Sequence, residues 1–386
     1  MDRSSAKRTT LGFTAAGVFA VPLAFMGAGT AGADDLAPLN TAANAVEGQY
    51  IVVLEEGVSA NSVTASDFGI SSEAVEHTYT TAINGFSAEL SAAEVTGVRS
   101  NSSVAFVEQV GTVEATETWG LDRIDQEALP LDDSYSVDNT GAGVSAYIID
   151  TGIEADHADF GGRAQVGFDA TGGDGADGNG HGTHVAGTIG SSTWGVAKEA
   201  DLYGVRVLDD NGSGTTDDVV AGIDWVTANA VDNSVANLSL GGGASQAIDD
   251  SVNALSESGV FVAVAAGNSG ADAGNSSPAR AEGVATVAAS DETDASASFT
   301  NYGSVVDIYA PGVDITSTWI GGGEDTISGT SMASPHVAGA AALYKDANGD
   351  ASQEEVQSYL TDNATADALS GVRTGTVNLL LNVSTL

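Results

Sequence analysis

The chain has 386 residues, 42% of them hydrophobic, with 49 glycines and no cysteine. Lys and Arg total 11 against 53 Asp and Glu, a formal net charge of -42. That balance excludes the basic surface that nucleic-acid binding needs, and the missing cysteines exclude disulfide stabilisation. The carboxylates are scattered rather than gathered in a tail, which reads as solubility or adaptation to salty or alkaline surroundings.

Residues 1–33 read as a signal peptide. Arg3, Lys7 and Arg8 precede an apolar run from Leu11 to about Ala28, and Ala31-Gly32-Ala33 supplies a small-x-small cleavage pattern. Pro22 and several glycines interrupt the run, and acidic residues follow it, so it does not read as a membrane anchor. No later stretch is apolar for long enough to span a bilayer, and secretion is expected.

A polar linker occupies 34–47, and a small α+β, ferredoxin-like module is expected over 48–115. "GQYIVVLEEG" reads as a strand, Val58 to Phe68 as a helix, and "NGFSAEL" as an alternating strand. Ser91 and Glu94 form a capping box that opens a second helix, and "VAFVEQV" closes the module. "GTVEATET" then breaks the pattern, and a second domain is expected over 116–386.

From Gly143 the rhythm is that of a parallel α/β sheet. The apolar strands "GVSAYIID", "DLYGVRVL", "VANLSL" and "VFVAVAAGN" are separated by amphipathic helices, as a sheet covered on both faces requires. Ligands in such folds bind beyond the carboxyl ends of the strands. Asp150 ends one of these strands and Asn268 another.

Three motifs carry chemistry. In "IIDTGIEADH", Asp150 is on its own equally well an aspartate capping a turn. "GNGHGTHVAGTIG" puts His181 at the mouth of a small-residue helix; His181 and His184 have the separation of a metal pair but no accompanying third ligand. In "SGTSMASPHVAG", Ser331 stands at a helix start, where free backbone N–H groups can stabilise an oxyanion. A hydrolytic serine needs a base, and the base needs a carboxylate to hold its tautomer. Asp150, His181 and Ser331 supply these types, and Asn268 adds a neutral donor for an oxyanion.

The chain resembles the subtilisin-like serine proteases (subtilases), in particular their proteinase K branch. "DTG", "HGTHVAGT", "VLDDNGSG", "ANLSLGGG", "VAVAAGN", "FTNYGSVVDIYAPG" and "GTSMASPHVAG" appear in order between about Trp119 and Tyr344. The stretch from Gly48 to about Val113 resembles the family's inhibitor-type propeptide. The resemblance implies a parallel-sheet subtilisin-like catalytic domain behind that propeptide. It also implies a secreted, autoprocessed serine endopeptidase whose propeptide acts as intramolecular chaperone and inhibitor, with protein or peptide substrates, no membrane or nucleic-acid partner, and a monomeric state. Ser331 would be the nucleophile, His181 the base and Asp150 its orienting carboxylate. Asn268 and the Ser331 N–H would form the oxyanion hole. Ser239, Leu240 and Gly241, with Ser213 and Gly214 of the Asn211 to Gly214 segment, would line the cleft. Ala265, Ala266 and Gly267 would wall an uncharged primary pocket that prefers apolar or aromatic residues. By the same resemblance, structural calcium would be held by Asp307 and the carbonyls of Glu282 and Val284. Val185 stands where many relatives of this branch carry a cysteine. His157, His77 and His336 are expected in structural positions.

A catalytically inactive, peptide-binding relative would be marked by substitution in the triad, and none is seen. A zinc protease motif is missing. The serine sits in Gly-Thr-Ser-Met-Ala and not in the G-x-S-x-G elbow of lipase-like hydrolases.

Overall fold

The computed structural model describes residues 36–42, 45–81, 83–111 and 118–386. The signal peptide expected over 1–33, and the expected boundary between the two domains at 115/116, lie outside these residues. The chain divides into two compact units, 1–114 and 115–386.

In the first unit, β1 (Leu39–Asn40), β2 (Ala45–Leu54), β3 (Val75–Tyr79), β4 (Gly85–Glu89) and β5 (Val104–Gly111) form one sheet in the order β1-β5-β2-β4-β3. α1 (Ala92–Arg99) packs Val95 and Val98 into a core with Val52, Phe86 and Val107. Ser91 and Glu94 cap α1 reciprocally, each side chain accepting the other's backbone N–H. The helix expected over Val58 to Phe68 does not form. Two short 3-10 turns, Ala60–Ser62 and Ala65–Phe68, stand in its place. Local side chains compete for the backbone there: Asp67 accepts the N–H and hydroxyl of Thr64, and Asn84 bonds Ala60 N–H and the Val58 carbonyl.

The second unit opens with α2 (Trp119–Ile124), β6 (Ser145–Asp150), β7 (Ala164–Asp169), α3 (His181–Gly190), β8 (Asp201–Arg206), α4 (Thr216–Asn229) and β9 (Ser234–Leu238). It continues with β10 (Gly242–Gly243), α5 (Gln246–Glu257), β11 (Phe261–Ala265), β12 (Ser276–Ser277), β13 (Ala285–Ser290) and β14 (Ile308–Pro311). The hairpin β15 (Ile315–Trp319) and β16 (Gly323–Ile327) leads into α6 (Thr330–Asn348), followed by α7 (Gln353–Asp362), β17 (Thr365–Ala366) and β18 (Leu379–Leu380).

Nine strands form the central sheet in the order β17-β18-β14-β13-β11-β9-β6-β8-β7, parallel except for β17 at one edge. Successive residues of a strand point to opposite faces, and both faces are apolar here. Ala146 and Ile148 of β6 join the core that includes residues of α3 and α6, whereas Tyr147 and Ile149 join the one formed with α4 and α5. Phe261 and Ala263 of β11 alternate with Val262 and Val264 in the same way. The adjacent strands β11, β9 and β6 therefore deliver the chain beyond Ala265, Leu238 and Asp150 to one edge of a rigid sheet.

Candidate active site

Asp150 is the last residue of β6 and is fully buried. His181 is the first residue of α3, with about a quarter of its side chain exposed. Their contact is short, Nδ1 to Asp150 Oδ1 at 2.7 Å. A carboxylate can only accept, so Nδ1 carries the hydrogen and the neutral ring keeps a free lone pair on Nε2. Burial alone would lower the His181 pKa, but the charge and hydrogen bond of Asp150, with the charge of Asp177, leave it above the ordinary histidine value. Gly180 caps α3 at a φ of 109°, and a Cβ there would lie 2.4 Å from the Trp319 ring, so only glycine lets the chain turn into His181.

Ser331 is the second residue of α6, where intrahelical geometry leaves its N–H without a partner. Its hydroxyl donates to the Ser239 carbonyl at 3.1 Å, and the Ser239 hydroxyl donates to the Ser331 carbonyl at 2.7 Å. The second bond is possible because residue 335, which would otherwise donate to that carbonyl, is Pro335 and has no N–H. Asn237 donates to Ser239 Oγ at 2.9 Å and accepts the hydroxyl of Ser334 at 2.6 Å, extending a buried network behind the serine.

Asn268 lies three residues beyond β11. Its Oδ1 accepts the N–H of Thr330 at 2.8 Å and the Thr330 hydroxyl at 2.9 Å. A backbone N–H facing the amide demands its oxygen, so the amide orientation is fixed. Nδ2 is turned toward the Gly329–Ser331 turn, 3.4 Å from where a Gly329 Cβ would sit. Thr330 Oγ1 also accepts the Gly267 N–H at 3.0 Å. Gly267 has a φ of 101°, and a Cβ there would approach Asn301 Nδ2 to 2.4 Å.

Two cavities share the wall Ser239 to Gly242. One, of about 520 Å³, is lined by His181, Leu208, Ser213, Gly214 and Ile248. The other, of about 270 Å³, is lined by Ala265, Ala266, Gly267, Asn268, Ala279 and Ser331, with no charged side chain among its lining residues. The sequence-derived cleft residues, with His181, Asn268 and Ser331, line these two cavities of the second unit, whereas Asp150 lies buried behind His181 and lines neither. His184 and His336 are buried beside it; desolvation lowers each to a pKa of about 4, and each has one ring nitrogen on a backbone carbonyl. His157 is also buried, with Nε2 against the Gly323 carbonyl at 3.0 Å. Thr330, Asn237, Ser334, Thr151 and Asp177 were not singled out by sequence. The signal for Asp177 is an acid placed just ahead of a helix start; the others look like ordinary small polar residues.

Glu282 and Val284 lie in the segment entering β13, and Asp307 precedes β14, its parallel neighbour. Asp307 Oδ2 accepts the Thr286 N–H at 2.8 Å, and the Asp307 N–H donates to the Thr286 carbonyl at 3.0 Å. Burial pushes the Asp307 carboxyl up to about 6. Among the described residues, no three His, Cys, Asp or Glu side chains gather as a metal site.

An imidazole oriented by Asp150 at the start of α3, a serine near the start of α6 and an amide aimed from beyond β11 are what a serine hydrolase of the subtilisin type would use. Residues 141–378 match the model of the Subtilase family, and residues 49–116 match that of Peptidase inhibitor I9. The chain belongs to the Subtilase family, and it is a subtilisin-like serine endopeptidase with an I9 unit before the protease unit. It is 49% identical over 326 residues to the "Alkaline serine exoprotease A" of Vibrio alginolyticus, covering 81% of this chain and 61% of that longer protein. It is 48% identical to the "Extracellular serine proteinase" of a Thermus species, covering 81% of this chain and 78% of that one. Proteinase R of Parengyodontium album is 44% identical over 86% of this chain and 88% of its own length. Among solved structures, a cold adapted subtilisin-like serine proteinase is 51% identical with a TM-score of 0.68, covering 70% of this chain and 99% of that one.

Proposed function

We propose that Ser331, His181, Asp150 and Asn268 perform peptide-bond hydrolysis through an acyl-enzyme. The observation that carries this reading is the 2.7 Å contact that leaves His181 Nε2 as the free base. Ser331 Oγ leaves the Ser239 carbonyl and attacks the substrate carbonyl carbon, while its proton passes to His181 Nε2. The resulting oxyanion lies between Asn268 Nδ2 and the Ser331 N–H. As the C–N bond breaks, His181 returns the proton to the leaving amine. Water then attacks the ester with His181 again as base, and as the C–O bond breaks His181 returns that proton to Ser331 Oγ and the acid is released. The Asp150 carboxylate orients the ring and stabilises the imidazolium in both halves.

Ser239, Leu240 and Gly241 form the common wall along which an extended substrate would pair, with Ser213 and Gly214 opposite. The uncharged lobe walled by Ala265, Ala266 and Gly267 suits an apolar or aromatic residue before the scissile bond. The I9 unit, taken as 48–115, acts as intramolecular chaperone and inhibitor, and the protease unit, 116–386, works as a monomer outside the cell. A relative named as extracellular supports that location, and among the described residues no helix is long and apolar enough to cross a membrane.

A structural calcium ion fits Asp307 with the carbonyls of Glu282 and Val284. Burial raises the pKa of this carboxyl, and only the Thr286 N–H and the Gln357 side chain offset that burial, so a cation would relieve its desolvation. The test of function is maturation: Ser331→Ala, made in a host without other proteases, accumulates as an uncut precursor. Normal processing of that variant would refute self-cleavage.

A further inference from the structure

Asp177 lies in the loop ahead of α3 and is not among the residues assigned above. Its carboxylate accepts five hydrogen bonds. Oδ1 takes the Thr151 hydroxyl, Asn179 N–H and Gly180 N–H, each at 2.9 Å. Oδ2 takes the Thr183 N–H at 2.9 Å and the Thr183 hydroxyl at 2.7 Å. A helix cap needs one or two of these donors. The bond to Thr151 reaches a different element, the residue directly after Asp150.

Thr151 completes a closed circuit. Its hydroxyl donates to Asp177 and accepts the Gly182 N–H at 2.9 Å, while its own N–H donates to Asp150 Oδ1 at 2.7 Å. The end of β6 and the start of α3 are therefore joined twice: through the Asp150–His181 contact, and through Thr151 with Asp177. We propose that Asp177 is a positioning residue, which holds the His181 ring against its carboxylate by locking the two backbone segments that carry them. This rests on the triad reading above.

The charge of Asp177 has a second effect on the same ring. Burial would push its carboxyl up, but the bonds from Gly180, Thr183 and Asn179 outweigh that and hold it below the ordinary carboxylate value. Its charge is thus held more firmly than that of a free carboxyl, and its field favours the imidazolium. The titratable groups bearing on His181 are Asp150 at the end of β6, Asp177 in the loop, and His184 one turn along α3. His184 stays neutral above about pH 4, and Asp325 of the facing hairpin acts on His184. Two anions therefore set the protonation of the base, and only one touches it.

The experiment compares Asp177→Asn, Thr151→Val and Thr151→Ser in the full chain after maturation. Rates are expressed per site titrated with a serine-directed covalent inhibitor, so unfolded protein does not count. Asn cannot accept from both sets of donors, since one side of its amide presents N–H. Asp177→Asn is expected to lower kcat about tenfold or more with KM changed less than about threefold, and to move the acid limb of kcat/KM to lower pH by several tenths of a unit. Thr151→Val, which keeps the charge, should lower kcat without moving that limb, and Thr151→Ser should restore it. The proposal is overturned if Asp177→Asn lowers only the unfolding midpoint, with kcat per site and the limb at wild-type values. If Asp177→Asn does not mature, equal kcat in Thr151→Val and wild type overturns it. Failure of wild type to be labelled at Ser331 would instead remove the triad reading.

Discussion

Ser239 and Ser331 hold each other twice, each hydroxyl donating to the other's backbone carbonyl, at 2.7 and 3.1 Å. The pair ties the proposed substrate wall to the proposed nucleophile, so a substrate strand aligned on residues 239–241 would be aligned on Ser331 as well. Ser239→Ala would leave the Ser331 carbonyl without a donor, because Pro335 has none to offer. The expected cost is about 1–2 kcal/mol of stability, read by urea unfolding of an otherwise inactive Ser331→Ala background. Turnover in the active background should fall as well. Unchanged unfolding would mean the carbonyl finds another partner.

Asn268 depends on Thr330 in a comparable way. Asn268→Ala removes the aimed amide and should lower kcat by roughly a hundredfold or more with little change in KM. Thr330→Val keeps the N–H bond to Asn268 but loses the hydroxyl bond, and should cost about tenfold in kcat. A loss confined to KM in either variant would make the pair a substrate-binding element and not an oxyanion donor.

The raised pKa of His181 sets the pH dependence of activity. Only the neutral ring can accept the proton of Ser331, so kcat/KM should fall as pH drops through that pKa. Because Asp150 and Asp177 outweigh burial and raise it, the midpoint should lie above the ordinary histidine value of 6.5. A pH series on a peptide amide substrate measures it. A midpoint below 6.5 would show that burial outweighs the two carboxylates.

Calcium at Asp307 has its own signature. Chelation should lower the melting temperature of wild type and leave Asp307→Ala nearly unaffected. Equal sensitivity in the two proteins would remove Asp307 from any calcium site.

In the protease unit the strands β6, β8, β9 and β11 and the helices between them were legible because their periodicity is strong, whereas β7, β13, β14, the β15–β16 hairpin and the C-terminal elements were not read. Asp150, His181, Asn268 and Ser331 could be picked out as chemistry-bearing side chains at glycine-flanked ends of elements. Their supports could not. Thr151, Thr330 and Asp177 act through hydrogen bonds between segments far apart in sequence, and no spacing rule records those. The failed helix at Val58 to Phe68 has a similar cause. Its fate depends on Asn84, which comes from a later part of the chain and takes over the backbone groups of Val58 and Ala60.

The nucleophile itself is tested most directly by intact-mass and peptide-level mass spectrometry after reaction with a serine-directed covalent inhibitor. The matured wild type should gain one adduct per chain, located on Ser331, with complete loss of peptidase activity. Ser331→Ala should take up none and should hydrolyse no peptide. An adduct on any other residue, or peptide hydrolysis by Ser331→Ala, would contradict the assignment.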